Sequence, residues 1–169
     1  YADNAATTPL SEIAFNAMKP WLTEHYGNPS SLHRKGLEAQ HEVEYARNQI
    51  AGALGCKAQE IVFTSGATES SNLAIRGAVA AYGRKRKKIV ASAVEHASVK
   101  ATLSYLKTLG FTVVTVPPAA DGEYHTEDFL REIDSSVCLV SMMLVNNETG
   151  CVFPVAEAAK LLREAGSGA

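Results

Sequence analysis

The stretch 64-TSGATESSNLAI-75 marks the change from an apolar segment to a helix. Residues 61–64 are apolar or favour strands, and small polar residues follow them directly at 65–68. From residue 68 to residue 82 the pattern is helical, and small side chains such as Ser70, Ala74 and Gly77 share one face. A strand that ends in small residues and leads into a helix is typical of a phosphate-binding junction in an α/β protein.

The alternation of apolar segments and helical patterns continues along the rest of the chain. Further strands are predicted at 89–93, 112–116 and 138–144, and helices at 97–109, at 127–133 with Thr126 as cap, and at 154–165. Two longer helical segments precede residue 61, one beginning after the cap Ser11 and running towards residue 26, the other at 32–54. The strands are almost continuously apolar, which requires helices on both faces. The sequence therefore predicts an α/β fold with a mainly parallel sheet and flanking helices.

Composition excludes several classes of function. The chain has 169 residues, of which 46% are hydrophobic, so it can build a core and is not disordered. Its net charge of -2 gives no bulk attraction to nucleic acid or to acidic membranes, and no apolar run approaches the length of a membrane span. The three cysteines have no C-x-x-C spacing, and the five histidines have no metal-ligand spacing. Neither a disulfide framework nor a metal site is predicted.

Polar residues follow three of the four predicted strands. They lie at 65–70, at 94–96 and at 146–148, whereas only prolines and alanines follow the strand at 112–116. Ligands of open α/β sheets bind beyond the carboxyl ends of the strands, so these three segments are predicted to form one pocket and 112–116 to be an outer strand. His96, the only histidine at a predicted strand end, could move protons or stack on a heteroaromatic ring. A structural histidine, and turn-forming asparagines at 146–147, are the alternatives.

The junction after residue 64 has the groups that an anion needs. A helix N-terminus offers unpaired N–H groups and a partial positive charge. Gly66 and Ala67 let the backbone approach an anion closely, and Thr68 and Ser70 add hydroxyl donors. There is no Walker lysine and no G-x-G-x-x-G, which disfavours a nucleotide. A helix capped by Ser65 or Thr68, with nothing bound, is the alternative.

Five motifs appear in order along the chain: DNAATTP at 3–9, GNPSSLH at 27–33, TSGATESSN at 64–72, VEH at 94–96 and NNETG at 146–150. Together they resemble the cysteine desulfurase family, which belongs to the class-V aminotransferase group and uses pyridoxal 5'-phosphate. The resemblance spans almost the whole chain. It implies a part of the large domain of a fold-type I pyridoxal-phosphate enzyme, with 1–22 as an N-terminal arm and 23–169 as an incomplete cofactor-binding domain.

The resemblance also assigns roles to individual residues. Ala67 and Thr68 match the pair that binds the cofactor phosphate. His96 matches the catalytic histidine that stacks on the pyridine ring and assists proton transfers. Asn147 matches the asparagine that hydrogen-bonds the ring hydroxyl, and no metal is implied.

The family's reaction gives the expected activity and partners. Sulfur passes from L-cysteine to an enzyme cysteine as a persulfide, L-alanine leaves, and the sulfur goes to an acceptor or iron–sulfur scaffold protein. A cytoplasmic homodimer is expected. Family members are more than twice this long, and the motifs of their cofactor-binding lysine and persulfide cysteine are not in these residues. An N-terminal part, inactive alone, is therefore expected. A related class-V aminotransferase, a selenocysteine lyase and a non-catalytic domain that binds phosphate or a partner are the alternatives.

Overall fold

The computed structural model describes residues 1–120 and 122–164 and divides the chain into two units, Tyr1–Phe63 and Thr64–Ala169. None of the helices in the described part is long and apolar enough to cross a membrane. The predicted division after residue 22 concerns the domains of a longer protein and stays a prediction.

The first unit contains two helices, α1 (Glu12–Thr23) and α2 (Arg34–Leu54), and a short 3-10 turn at Ala58–Glu60. Ser11 caps α1 as predicted, because its hydroxyl accepts the N–H of Ala14 at 3.2 Å. The helix continues through Pro20 and ends at Thr23, short of the predicted residue 26. Likewise α2 begins at residue 34 and not at 32, because the His33 side chain caps it.

Residues 27–33 form a loop that packs tightly on the start of α2. A Cβ atom on Gly36 would lie 2.1 Å from the carbonyl oxygen of Ser31, and one on Gly27 would lie 2.3 Å from that of Lys35. Both distances are far below van der Waals contact. The two glycines therefore allow the loop and the helix to meet at a separation that no side chain would permit.

The strand predicted at 61–64 is wrong. Ile61 has an extended backbone, with φ -85° and ψ 127°, but residues 61–64 pair with no strand of the described chain. The Ile61 carbonyl accepts a hydrogen bond from the Arg47 guanidinium, which also lies 4.8 Å from the ring centre of Phe63. An extended segment becomes a strand only when a neighbouring strand pairs with its backbone, and here a side chain takes one of those positions.

The second unit contains a sheet of three parallel strands, β1 (Lys88–Ser92), β2 (Thr112–Val116) and β3 (Val137–Ser141), in the order β2-β1-β3. This confirms the predicted parallel sheet, with 112–116 on its outer edge. The strand predicted at 138–144 ends early, at Ser141. Residues beyond it leave the sheet because the Leu144 carbonyl accepts the N–H of Phe153 at 2.8 Å, and Val145 pairs with Val152 in an antiparallel bridge.

In the described part of this unit, four helices accompany the sheet: α3 (Ala67–Tyr82), α4 (Ala97–Thr108), α5 (Thr126–Leu130) and α6 (Val155–Glu164). The prediction that Thr126 caps α5 is wrong. His125 is the N-cap, and the Thr126 hydroxyl donates to Glu157 of α6 at 3.3 Å. The predicted helix at 127–133 also ends earlier, at Leu130. The predicted end of the last helix at residue 165 lies outside the described residues.

Apolar clusters lie on both faces of the central strand β1. Ile89 and Val90 are fully buried neighbours, and they belong to different clusters because successive strand residues point to opposite faces. The first cluster contains residues of α3 and α4, and the second contains Tyr124, Phe129 of α5 and Phe153. Both faces of the sheet are thus covered, which explains the continuously apolar strands.

Candidate functional site

Helices α3 and α4 lie side by side and point in the same direction. The Thr102 hydroxyl donates to Asn72 Oδ1 at 2.8 Å, and each residue lies equally far along the chain from the N-cap of its own helix. The far ends meet as well, since a Cβ atom on Gly83 would lie 2.9 Å from the ring of Phe111. Helix α4 returns from the end of β1 to the start of the parallel strand β2. Both helices therefore begin at the carboxyl end of the sheet.

The N-terminus of α3 has free main-chain donors. Gly66 is the N-cap and has no side chain to accept a hydrogen bond, and the first helical bond runs from the Ser70 N–H to the Gly66 carbonyl at 3.1 Å. The N–H groups of Ala67 and Thr68 have no acceptor among the residues that the structure describes. The alternative in which Ser65 or Thr68 caps this helix is wrong.

The side chains around this N-terminus bond to one another. The Glu69 carboxylate accepts the hydroxyl and the N–H of Ser65, at 2.6 and 2.7 Å, and these hydrogen bonds lower the pKa of Glu69. The Thr64 and Ser70 hydroxyl oxygens lie 2.6 Å apart. Ser70, predicted as a donor to the anion, is therefore already engaged. The Thr68 hydroxyl has no partner within the described chain, so it remains available together with the two main-chain N–H groups.

His96 is the N-cap of α4. Its Nδ1 accepts the N–H of Ser98 at 3.2 Å and lies 2.9 Å from the Ser98 hydroxyl, while the ring is exposed. A nitrogen that accepts an N–H carries no proton, so the neutral ring has its proton on Nε2. His96 therefore has the structural role that the sequence left open, as the cap of α4, and this role leaves Nε2 available to a ligand.

The turn that carries His96 is fixed by buried polar groups that the sequence reasoning missed. The Ser92 hydroxyl donates to Glu95 at 2.8 Å, and both residues are buried. The Ala93 N–H donates to the Tyr124 hydroxyl at 3.1 Å, which in turn donates to the Val116 carbonyl at 3.1 Å. Burial raises the pKa of Tyr124. Glu95 lies within the VEH motif, but nothing in the sequence indicated that Tyr124 would contact this turn.

The two asparagines of the NNETG motif have different environments. Asn146 is 6% exposed, and its Oδ1 accepts the N–H groups of Glu148 and Thr149, both at 2.9 Å. Its Nδ2 donates to the Val94 carbonyl at 3.4 Å, so this loop lies beside the turn before α4. Asn147 is exposed, and its Nδ2 donates to Glu148 at 2.9 Å. The turn-forming alternative therefore applies to Asn146.

The four predicted site residues, Ala67, Thr68, His96 and Asn147, all lie in exposed positions at the carboxyl end of the sheet. They offer two main-chain N–H groups and a hydroxyl for an anion, an imidazole Nε2 and an amide. This donor set suits a ligand with both an anionic group and a polar aromatic ring. Within the described residues no group of histidines, cysteines and carboxylates could hold a metal ion.

Comparisons with known proteins agree with this fold. The aminotransferase class-V family model matches residues 1–168. A cysteine desulfurase IscS from Dictyoglomus turgidum is 43% identical over 97% of this chain and 42% of its own length. A cysteine desulfurase from Cereibacter sphaeroides is 45% identical over 99% of this chain and 43% of its own.

Solved structures give the same result. A NifS-like protein has a TM-score of 0.92 at 35% identity, over 96% of this chain and 44% of the solved one. SspA in complex with cysteine has a TM-score of 0.92 at 34% identity, over 98% and 48%. The chain spans less than half the length of each of these four proteins. On the match to almost all of its residues and on its parallel sheet with flanking helices, the chain belongs to the aminotransferase class-V family.

Proposed function

We propose that the chain forms one part of a pyridoxal-phosphate-dependent cysteine desulfurase. The whole protein would convert L-cysteine to L-alanine and an enzyme persulfide, which supplies sulfur for iron–sulfur cluster or thiocofactor assembly. The observation that carries the proposal is the uncapped N-terminus of α3, which opens at the same sheet end as His96 and Asn147. The relatives named as cysteine desulfurases support the choice of substrate.

The α3 N-terminus would hold the cofactor phosphate. The N–H groups of Ala67 and Thr68 and the Thr68 hydroxyl are free donors, and the helix dipole favours an anion there. Gly66 adds no side chain that could block the approach, since a Cβ atom there would meet nothing within 4 Å. The residues of this segment therefore fit the phosphate of pyridoxal 5'-phosphate.

His96 and Asn147 would contact the cofactor ring. When bound, pyridoxal phosphate supplies an electron sink for the amino-acid substrate. The exposed His96 ring can stack on the pyridine. In the other tautomer, with the ring proton on Nδ1, which then donates to the Ser98 hydroxyl oxygen 2.9 Å away, Nε2 can accept a proton and return it. The Asn147 amide can hydrogen-bond the ring hydroxyl. The proposed substrate is L-cysteine. The proposed partners are a sulfur acceptor or iron–sulfur scaffold protein and a second copy of the protein, and the proposed location is the cytoplasm.

A Thr68→Ala variant of the whole protein tests the phosphate site. Loss of the hydroxyl should weaken pyridoxal phosphate binding by about 1–3 kcal/mol, because an anion loses one hydrogen bond. Cofactor titration followed by fluorescence measures this change. Thr108→Ala is the matched control, since the hydrogen bond that the structure gives to the Thr108 hydroxyl is to the Tyr105 carbonyl within α4. An unchanged affinity for Thr68→Ala would remove Thr68 from the site.

His96→Asn tests the proton-transfer role without removing the cap, because asparagine is also a good N-cap. Turnover of L-cysteine by the whole protein should fall by roughly 10²–10⁴-fold, the usual value of general acid–base help. Alanine formation measures it, and His41→Asn on the exposed face of α2 is the control. If the wild-type protein converted selenocysteine or an aminotransferase substrate faster than L-cysteine, the protein would be a selenocysteine lyase or an aminotransferase and not a cysteine desulfurase. The 169-residue chain alone should form no alanine.

A further inference from the structure

Asn146 connects two of the segments that carry proposed site residues. Its buried Nδ2 donates to the Val94 carbonyl, just before His96, and its Oδ1 accepts the main-chain N–H groups of Glu148 and Thr149, just after Asn147. The Thr149 hydroxyl donates to the same Oδ1 at 3.2 Å, and the Met143 sulfur lies 3.4 Å from Nδ2. One buried amide thus holds both segments.

The Val94 carbonyl is the point at which these segments are joined. The residues before and after Val94 have other hydrogen-bond partners. The Ala93 N–H donates to the Tyr124 hydroxyl, and the Glu95 carboxylate accepts the Ser92 hydroxyl. Those contacts fix the turn to the sheet, but they do not reach the asparagine loop. Among the described residues, the hydrogen bond between these two segments comes from Asn146.

We propose that Asn146 is a positioning residue that holds the His96 turn and the Asn147 loop in one fixed arrangement. This proposal rests on the proposed function, because the distance between His96 and Asn147 matters for activity only if both residues contact the same ligand. Asn146 is buried and both of its amide atoms are engaged, so it acts through its neighbours and not on the ligand. Asn147 makes no such connection: among the described residues its amide donates to Glu148 within the same loop, which leaves its second N–H and its Oδ1 for a ligand.

Asn146→Asp removes the hydrogen bond to Val94 and keeps those to Glu148 and Thr149. Aspartate has the same shape and keeps an oxygen to accept the N–H groups of Glu148 and Thr149, but it places an acceptor against the Val94 carbonyl. In the whole protein, kcat should fall by about 10–100-fold with little change in KM, because small displacements of reacting groups cost this much. Asn48→Asp is the matched control, since within the described residues the Asn48 amide donates only to the Glu44 carbonyl of α2, at 2.7 Å.

A double-mutant cycle tests whether Asn146 acts through His96. If it does, Asn146→Asp should lower kcat much less in the His96→Asn background than in the wild type. Equal effects in both backgrounds, or an Asn146→Asp variant that matches Asn48→Asp, would overturn the proposal. If Asn146→Asp does not fold, Asn146→Ser takes its place, because a serine can still form the turn but is too short to reach Val94.

A measurement without cofactor separates this proposal from the proposed function. The ring signals of His96 in the nuclear magnetic resonance spectrum, assigned by their loss in His96→Asn, should shift in cofactor-free Asn146→Asp and stay in place in Asn48→Asp. Unshifted signals would overturn the positioning role. A wild-type protein that forms no alanine from L-cysteine would instead overturn the proposed function, while the ring signals would still report on the contact with Val94.

Discussion

Individual residues of the same type differ sharply in their surroundings, and the three cysteines illustrate this. Cys138 in β3 is 2% exposed, and burial raises the pKa of its thiol, whereas Cys56 and Cys151 are exposed free thiols. Because the thiolate is the nucleophile, iodoacetamide should modify Cys56 and Cys151 in the native chain and leave Cys138 unmodified. Mass spectrometry of native and denatured protein measures the difference. Rapid native modification of Cys138 would contradict its place in the core.

Asp134 should make stability depend on pH in the acid range. The Ser136 hydroxyl and N–H, followed by Lys88 at 3.1 Å, lower the pKa of Asp134 to about 2. A carboxyl with a lowered pKa stabilises the fold above the pKa of the unfolded chain, roughly 3.9, and loses this effect as the pH falls towards 2. Asp134→Asn should therefore reduce the free energy of unfolding at pH 7, with a loss that shrinks between about pH 4 and pH 2.

Denaturant titrations at several pH values measure this effect. Ser136→Ala is the companion variant, because it removes the largest cause of the lowered pKa and should reproduce part of the change. The Lys88 side of the contact agrees: burial opposes its charge, but hydrogen bonds to Asp134 and Glu132 outweigh burial and raise the pKa of Lys88. A loss in Asp134→Asn that is constant from pH 7 to pH 2 would contradict the assignment.

Among the elements, the start of α2 is the most sensitive to a small added volume. In Gly36→Ala the new methyl group would lie 2.1 Å from the Ser31 carbonyl oxygen, so loop and helix must separate, at a cost of about 1–3 kcal/mol. Gly52→Ala is the control within the same helix, where a Cβ atom meets nothing within 4 Å. That change should stabilise the chain by roughly 0.5–1 kcal/mol, since alanine favours a helix. Thermal unfolding of both variants measures these changes in stability. A Gly36→Ala variant as stable as the wild type would contradict the close packing.

The elements also show how far a sequence predicts structure. The apolar pattern and the turn residues around it predicted β2 correctly, because Gly110 precedes this apolar segment and two prolines follow it. Residues 61–64 are also apolar or β-branched but have no paired neighbour, and residues 144–145 lie beyond the end of β3 and meet 152–153. Pairing depends on residues distant along the chain, which local patterns do not contain.

The candidate site divides in the same way. Ala67, Thr68, His96 and Asn147 could be named from short motifs, and their roles stay predictions. The contacts that support these residues could not be predicted, because that of Tyr124 with Ala93 and that of Asn146 with Val94 join separate parts of the chain. A buried polar residue is recognised only when its partners are known.

At the scale of the whole molecule, the first unit exposes a large apolar surface. Of residues 1–63, all of which the structure describes, the buried ones are Gly36, Ala39 and Ala51, all small. Large side chains remain open to solvent, including Leu32 at 91% and Ile13 at 86% exposure. Surfaces of this kind bind partners or associate with themselves.

The 169-residue chain should therefore associate as its concentration rises, which light scattering over a dilution series measures. Ile13→Lys combined with Leu32→Lys should weaken the association without unfolding the chain, because the two side chains are almost fully exposed. Thr108→Lys, a charge added in the second unit at an exposed position, is the control. A monomer that persists at all concentrations would contradict the prediction.

The order β2-β1-β3 has a consequence for the time course of folding. Strand β1 pairs with β2 across the single helix α4, so Lys88 meets Thr112, whereas its pairing with β3 joins Ile89 to Leu139, much further along the chain. Closing the longer loop costs more entropy before its contacts form. We expect the segment from β1 to β2 to assemble first and β3 to dock afterwards. Substitutions in β3 should then mainly speed unfolding, while those at the contact of β1 with β2 should slow refolding.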